Sequence, residues 1–194
     1  KLANTAKNIV VVGSSFAANE AVSNLAGLTK NNAKVSMICS ENVPFEKILG
    51  PEIGKALLAQ HEANGVKVHS GKNLDKISFD SDESGNVSKL ALDNSEPVID
   101  ADLIIMATGS KLDSGLAANA GLRMEKDDGS IKTNPFMQTS DPDIFAAGDA
   151  VTFPSWHLGK TIRVDHWSAS QDQGSHAAFN MLGKMSPYSS VPFF

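Results

Sequence analysis

The sequence predicts an α/β fold organised around a parallel sheet, and three stretches carry that expectation. Residues 8–13, "NIVVVG", are a short β-branched apolar run with polar flanks, too brief for a helix. Phe16, Ala17, Ala21, Val22 and Leu25 recur at helical spacing, so 16–26 reads as a helix, with Gly27 available to end it. "KVSMIC", residues 34–39, returns to the strand pattern. Strand, helix and strand within about 30 residues make one crossover unit, whose strands run parallel.

Pro51 stands where the first turn of a helix needs no N–H donor, and the helix it opens runs through Ile53, Leu57 and Leu58 until Gly65 ends it. Val66 and Val68 begin the next strand. From "LDKISFD" through "SDESGNVSK" to "LAL" the residues alternate around a Gly-Asn turn, which predicts an antiparallel hairpin. "ADLIIMATGS", residues 101–110, is a further buried strand. Turn formers then dominate 111–143, placing a domain boundary near 108–115. "IFAAGDA", residues 144–150, predicts a short strand, and a helix from about His166 to Leu182, ended by Gly183, closes the chain.

Composition narrows the partners. A chain of 194 residues, 41% hydrophobic and 20% charged, lies in the ordinary globular range and permits one domain or two small ones. The net charge of −5 is spread without a Lys/Arg block, so neither nucleic acid nor an anionic membrane is an expected partner. The longest apolar runs, such as "LIIMA", are too short to cross a bilayer, and no signal-peptide pattern opens the chain. Cys39 is the only cysteine, which excludes a disulfide, a redox-active pair or a multi-cysteine zinc site within this chain, and no metal site is expected. A reducing intracellular compartment, cytoplasmic or mitochondrial, fits that usage. Because the chain opens on Lys1 and closes on the apolar "SSVPFF", it reads as an internal fragment.

The stretch with chemical content is "GSSFAA", residues 13–18. A tight strand-to-helix turn binds pyrophosphate because the helix N-terminus presents unpaired N–H groups and partial positive charge, while small residues let the phosphate approach. Gly13 supplies the first glycine of such a turn, Ser15 replaces the second with a hydroxyl able to donate to a phosphate oxygen, and Ala18 is an accepted third. Gly13, Ser14, Ser15, Phe16, Ala17 and Ala18 are therefore candidate dinucleotide contacts. An acidic residue that reads the ribose hydroxyls belongs after the second strand. Cys39 cannot do this; Glu41, two residues on, is the candidate, against the alternative of a solvated turn carboxylate. No arginine accompanies it to hold a 2′-phosphate, which favours NADH, while the nearby Lys47 keeps NADPH open.

With "VGSSFAANEA", "VPFEKILGPEIG", "ATGS", "IFAAGDA", "VDHWSASQDQGSHAAFNMLG" and "PYSSVPFF" in that order, nearly the whole chain resembles the apoptosis-inducing-factor-like branch of the FAD- and NAD(P)-dependent pyridine nucleotide-disulfide oxidoreductases, near rubredoxin and ferredoxin reductases. The resemblance implies a Rossmann-like NAD(P)-binding domain over residues 1–110, a central parallel sheet with an antiparallel β-meander. Residues 111–194 would be the C-terminal half of an FAD-binding domain, whose first half and following C-terminal domain are absent from this sequence. In this branch the places of Ala18 and Asn19 more often hold glycine and an apolar residue.

The same resemblance implies a flavoprotein oxidoreductase in which NAD(P)H reduces FAD and electrons pass onward. Gly13 to Ala18 would hold the NAD pyrophosphate, Glu20 would orient the nicotinamide carboxamide, and Gly109 would let the nicotinamide half lie against the backbone. Glu20 equally reads as a first-turn carboxylate complementing the helix dipole, worth about 0.3–1 kcal/mol. On the flavin side Asp149 would bind the ribityl chain and Gly148 would permit the close approach. His166 and Trp167 would begin a helix whose N-terminus faces the pyrimidine edge of the flavin, with His166 structural or stacking and Trp167 equally a hydrophobic anchor. Since Cys39 is alone, the expected acceptor is an iron–sulfur protein, a quinone or another one-electron acceptor.

Two rivals stand beside this reading. A short-chain dehydrogenase needs a Tyr-x-x-x-Lys pair, and the only tyrosine, Tyr188, is followed four residues later by Pro192. A non-catalytic redox- or nucleotide-sensing cell-death effector module is consistent with the same motifs.

Overall fold

In the computed structural model, which describes residues 2–28, 33–92 and 98–191, the apolar runs of the first half become one parallel sheet. The strands are β1 (Asn8–Val12), β2 (Lys34–Ile38), β3 (Lys67–His69) and β7 (Leu103–Met106), in the order β3-β2-β1-β7. β1 pairs on one side with β2, Val12 beside Ile38, and on the other with β7, Val12 beside Met106, both parallel. Successive strand side chains point to opposite faces. On one face, Val10, Val12 and Ile38 pack with Leu90, Leu92 and Ala101. On the other, Val11, Val35 and Met37 pack with Ala18 and Val22 of α1 (Phe16–Leu28) and with Val66. With both faces covered, each of these valines and isoleucines contributes about 1.5–3 kcal/mol by burial.

α1 continues through Gly27, which stays helical, so the expected stop at that glycine is not where the helix ends. The side chain of Gly27 being absent, nothing lies within 4 Å of where a Cβ would be, and no contact forces a turn there. Two helices join β2 to β3: the short α2 (Glu46–Leu49) and α3 (Pro51–Ala63), which has its proline in the first turn and Gly65 just beyond. The predicted hairpin forms from β4 (Ser78–Ser81) and β5 (Val87–Ala91), closed where Asp82 Oδ1 accepts the amides of Ser84 and Asn86. β6 (Val98–Asp100) adds a third antiparallel strand.

The chain divides into two units, Lys1–Gly109 and Ser110–Phe194. The second holds α4 (Gly115–Asn119), β8 (Ile131–Lys132), β9 (Val151–Ser155), β10 (Lys160–Arg163) and α5 (Trp167–Met181). Its sheet runs β10-β9-β8, around a core of Met137, Val151, Phe153, Ala177 and Tyr188. "IFAAGDA" departs from the predicted strand. Phe145 makes a single antiparallel bridge to Gln138, because Met137, at φ +62, breaks the partner segment, and the strand begins only at Val151. The β9–β10 hairpin lies where the sequence reading assigned no element, and α5 starts at Trp167 with His166 as its N-cap. Of the apolar closing segment "SSVPFF", residues 192–194 lie outside the described residues.

Candidate functional site

The strand numbering reverses between β1 and β7: from β1 the chain steps outward to β2 and β3, then returns to the opposite side. Ligands of open α/β sheets bind at such a switch point, beyond the carboxyl ends of the strands. A cleft of about 240 Å³ lies there, lined by Gly13, Ser14, Ser15, Ser40, Glu41, Ala107, Thr108 and Gly109, with Ile48 and Leu74 as apolar walls.

Gly13 is glycine for two reasons. Its φ of +127° disfavours any side chain, and a Cβ there would stand 2.2 Å from the carbonyl oxygen of Ala107. The crowding follows from the ladder: Gly13 N–H donates to Ile38 O at 2.8 Å and Ala107 N–H to Val12 O at 2.7 Å, clamping the turn between two strand ends. Ser15 caps α1, its oxygen accepting the Ala18 N–H at 3.4 Å while its hydroxyl donates to Ala107 O at 3.2 Å. The Ser15 hydroxyl thus points to the carbonyl just beyond the end of β7. The Phe16 and Ala17 amides stay at the open, positive end of the helix.

Glu41 leaves β2 to reach the same cleft, where its Oε2 accepts the Ser14 hydroxyl at 3.3 Å and its backbone carbonyl accepts the Gly71 amide at 3.0 Å. Gly109 lines the opposite wall. Other candidates lie outside the lining. Ala18 is buried in the core between α1 and the sheet, and Ala17 and Glu20 are exposed on α1. Phe16 rests its ring 4.5 Å from that of Phe45. Lys47 is exposed on α2, while its neighbour Ile48 faces the cleft. Burial pushes the Cys39 thiol up, against a hydrogen bond to Ser70, so this cysteine is a neutral core residue.

In the second unit Gly148, at φ +88, donates its amide to Oε1 of the buried Gln173 at 2.8 Å. Asp149 Oδ1 accepts the Ser170 hydroxyl at 2.7 Å, and its carbonyl accepts from Arg163 at 3.1 Å. α5 thus holds the Gly-Asp turn from one side. His166 accepts the Ser168 N–H at its Nδ1 (3.3 Å), and Trp167, the first helical residue, is 78% exposed. Among the described residues no group of three or more His, Cys, Asp or Glu could hold a metal ion, and no helix is long and apolar enough to cross a membrane.

The sequence reading missed Ser40, Ile48, Leu74 and Thr108 in the cleft, together with Gln173, Ser170 and Arg163 around the Gly-Asp turn. It also gave no role to Asn19, whose place in a helix otherwise apolar on its inner face was the available signal.

Residues 1–174 match the family model described as pyridine nucleotide-disulphide oxidoreductase. The chain is 34% identical to apoptosis-inducing factor 3 of Homo sapiens over 96% of its own length and 30% of that protein. It is 30% identical to a peroxisomal monodehydroascorbate reductase of Arabidopsis thaliana over 96% of its length and 37% of that enzyme. A solved FAD-dependent pyridine nucleotide-disulphide oxidoreductase from Desulfovibrio vulgaris superposes with a TM-score of 0.78 at 28% identity, over 96% of this chain and 45% of that one. The chain therefore spans under half the length of each of these proteins, and it belongs to the pyridine nucleotide-disulphide oxidoreductase family.

Proposed function

We propose that the first unit binds NAD(P)H in the switch-point cleft and that the protein to which this chain belongs is an FAD-dependent NAD(P)H oxidoreductase. The observation that carries the reading is the convergence of Gly13, Ser14, Ser15, Glu41 and Gly109 on one cleft at the carboxyl ends of β1, β2 and β7. The Phe16 and Ala17 amides and the helix dipole offer the pyrophosphate its site, and Glu41, beside Ser14, accepts the ribose hydroxyls, which favours NADH. Glu20 and Lys47, outside the cleft lining, keep secondary roles: Glu20 towards the nicotinamide, Lys47 towards a 2′-phosphate.

Residues 111–194 are the second half of the FAD-binding domain in this reading. Asp149 and Gly148 present the ribityl contact, and the α5 N-terminus at His166 and Trp167 favours negative charge on the flavin's pyrimidine edge. The bound nicotinamide and flavin supply hydride transfer, and the chain supplies their placement. Cys39, buried and the one cysteine of this sequence, offers electrons no disulfide exit within this chain, and the reading takes as acceptor a one-electron carrier such as an iron–sulfur protein, or a quinone, in an intracellular compartment, cytoplasmic or mitochondrial.

The test is anaerobic titration of the full-length, FAD-loaded protein with NADH and NADPH, read as loss of flavin absorbance. NADH is expected to bleach the flavin at the lower half-saturating concentration, and Glu41→Ala to raise that concentration about tenfold. A flavin that neither dinucleotide reduces overturns the reading and favours the non-catalytic cell-death effector.

A further inference from the structure

Asn19 lies one turn into α1, 7% exposed, behind the Gly13–Ala18 turn and outside the cleft lining. Its Nδ2 is 3.0 Å from the Ser14 carbonyl oxygen and 2.9 Å from that of Ser15. Carbonyls only accept, so the NH₂ group of the amide faces both, and Oδ1 is left to accept. That oxygen is 2.9 Å from Nε2 of His61, a buried residue of α3, so this nitrogen carries the proton. Burial holds the imidazole below its ordinary value and hence neutral near pH 7.

Peptide planarity converts these bonds into a direction. In a trans peptide the carbonyl and the next residue's N–H point to opposite sides, so a carbonyl anchored on one side aims the following amide to the other. Holding Ser14 O aims the Ser15 amide away from Asn19, and holding Ser15 O does the same for Phe16. Ser15 O is held twice, since it also accepts the Asn19 backbone amide at 3.0 Å. Neither Ser14 nor Ser15 adopts positive φ, so the turn lacks the backbone freedom that glycines would give it to adjust to a phosphate.

We propose that Asn19, braced by His61 from α3, is a positioning residue for dinucleotide binding that presets the Ser15 and Phe16 amides towards the pyrophosphate. The inference rests on the NAD(P)H reading of the turn. It assigns work to the two residues that bridge α1 and α3, neither of which touches the cleft. Loss of the brace loosens binding of the dinucleotide before it affects the chemical step.

The experiment uses the full-length, FAD-loaded protein and reads KM and kcat for NADH alongside the melting temperature. Asn19→Leu is expected to raise KM about tenfold with kcat nearly unchanged, and His61→Leu to raise it by less. His61→Gln, which keeps an N–H donor for Oδ1, is expected to retain the parent KM. The double variant Asn19→Leu/His61→Leu replaces the polar pair with an apolar one. It should recover the stability that His61→Leu loses while keeping the raised KM, a split that a purely structural pair would not show. A double variant with the parent KM, or an Asn19→Leu protein that only melts earlier, overturns the inference; if Asn19→Leu does not fold, the double variant decides. A parent protein that binds neither NADH nor NADPH defeats the underlying reading and the inference with it, whereas parent binding with unaffected variants defeats the inference alone.

Discussion

Gly13 and Gly148 both sit at positive φ in the two turns that the sequence singled out, but their surroundings demand glycine differently. Around Gly13 the neighbour is backbone, with Ala107 O 2.2 Å from a would-be Cβ; around Gly148 it is the Ser170 side chain, 3.6 Å away. The first turn is wedged between strand ends. The second is open on one side and held by Gln173 and Ser170 of α5. Gly13→Ala is therefore expected to cost on the order of 3 kcal/mol or more, combining strain with a clash that backbone cannot yield to. Gly148→Ala pays only the left-handed penalty, about 1–2 kcal/mol. Urea unfolding of both variants checks the ranking, and equal losses break the comparison.

The caps of α1 and α5 sharpen the contrast at a smaller scale. Ser15 both caps α1 and donates to the Ala107 carbonyl just beyond β7, so Ser15→Ala removes two bonds and is expected to cost about 1–2 kcal/mol. His166 caps α5 through Nδ1, which accepts the Ser168 amide at 3.3 Å and lies 2.8 Å from the Ser168 hydroxyl, and His166→Ala is expected to cost about 0.5–1 kcal/mol, with His166→Asn restoring most of it. Thermal unfolding measures both. A His166→Ala loss exceeding that of Ser15→Ala would place the tighter helix start in the second unit.

What the sequence made legible follows the same division. Periodicity and turn residues marked β1, α1, β2, α3, the β4–β5 hairpin and β7: the runs of β1 and β2 are buried on the two faces of the sheet, α1 turns Ala18 and Val22 inward, and Gly65 after α3 and Gly85 in the hairpin turn stand at positive φ. The second unit was harder to read. β8 is two residues long, and β9 contains Pro154, so neither shows a strand's usual alternation. "IFAAGDA" looked like a strand by composition, and Met137's backbone, which no local pattern announces, left only one bridge there. In the site, Gly13 and Glu41 were legible by spacing. Ser40, Ile48, Leu74 and Thr108 were not, because segments that follow different strands, Ile48 on α2 among them, bring them together and no interval in the sequence encodes that meeting. The bond from Ser15 to Ala107 O was not legible either, because its partner is 92 residues away.

Acid should separate the units with the smallest effect of the three. In the first unit burial lowers the imidazole values of both His61 and His69, with Lys67 and Lys72 adding to the effect at His69, whose Nε2 is buried without a partner. The folded state then binds protons less readily than the unfolded chain, so this contribution to stability is complete above about pH 6.5 and drains away as pH falls from there towards the lowered folded values. In the second unit Asp128 is held below the usual carboxylate range, first by hydrogen bonds from Ser130 and then by Arg163. Its contribution is complete above about pH 3.9 and is lost only as pH falls further, through its depressed folded value. Between pH 7 and about pH 5.5, hydrogen-exchange protection of the β1 and β2 amides should fall, by less than about tenfold. Over that interval the exchange protection of the β9 and β10 amides, in the second unit, should hold steady. Replacing His61 and His69 together by glutamine should flatten the change in exchange, because the groups whose protonation drives it are gone. Loss of protection in β9 and β10 that precedes the loss in β1 and β2 would instead make the second unit the acid-sensitive one and sever the link between burial of these imidazoles and the stability of the first.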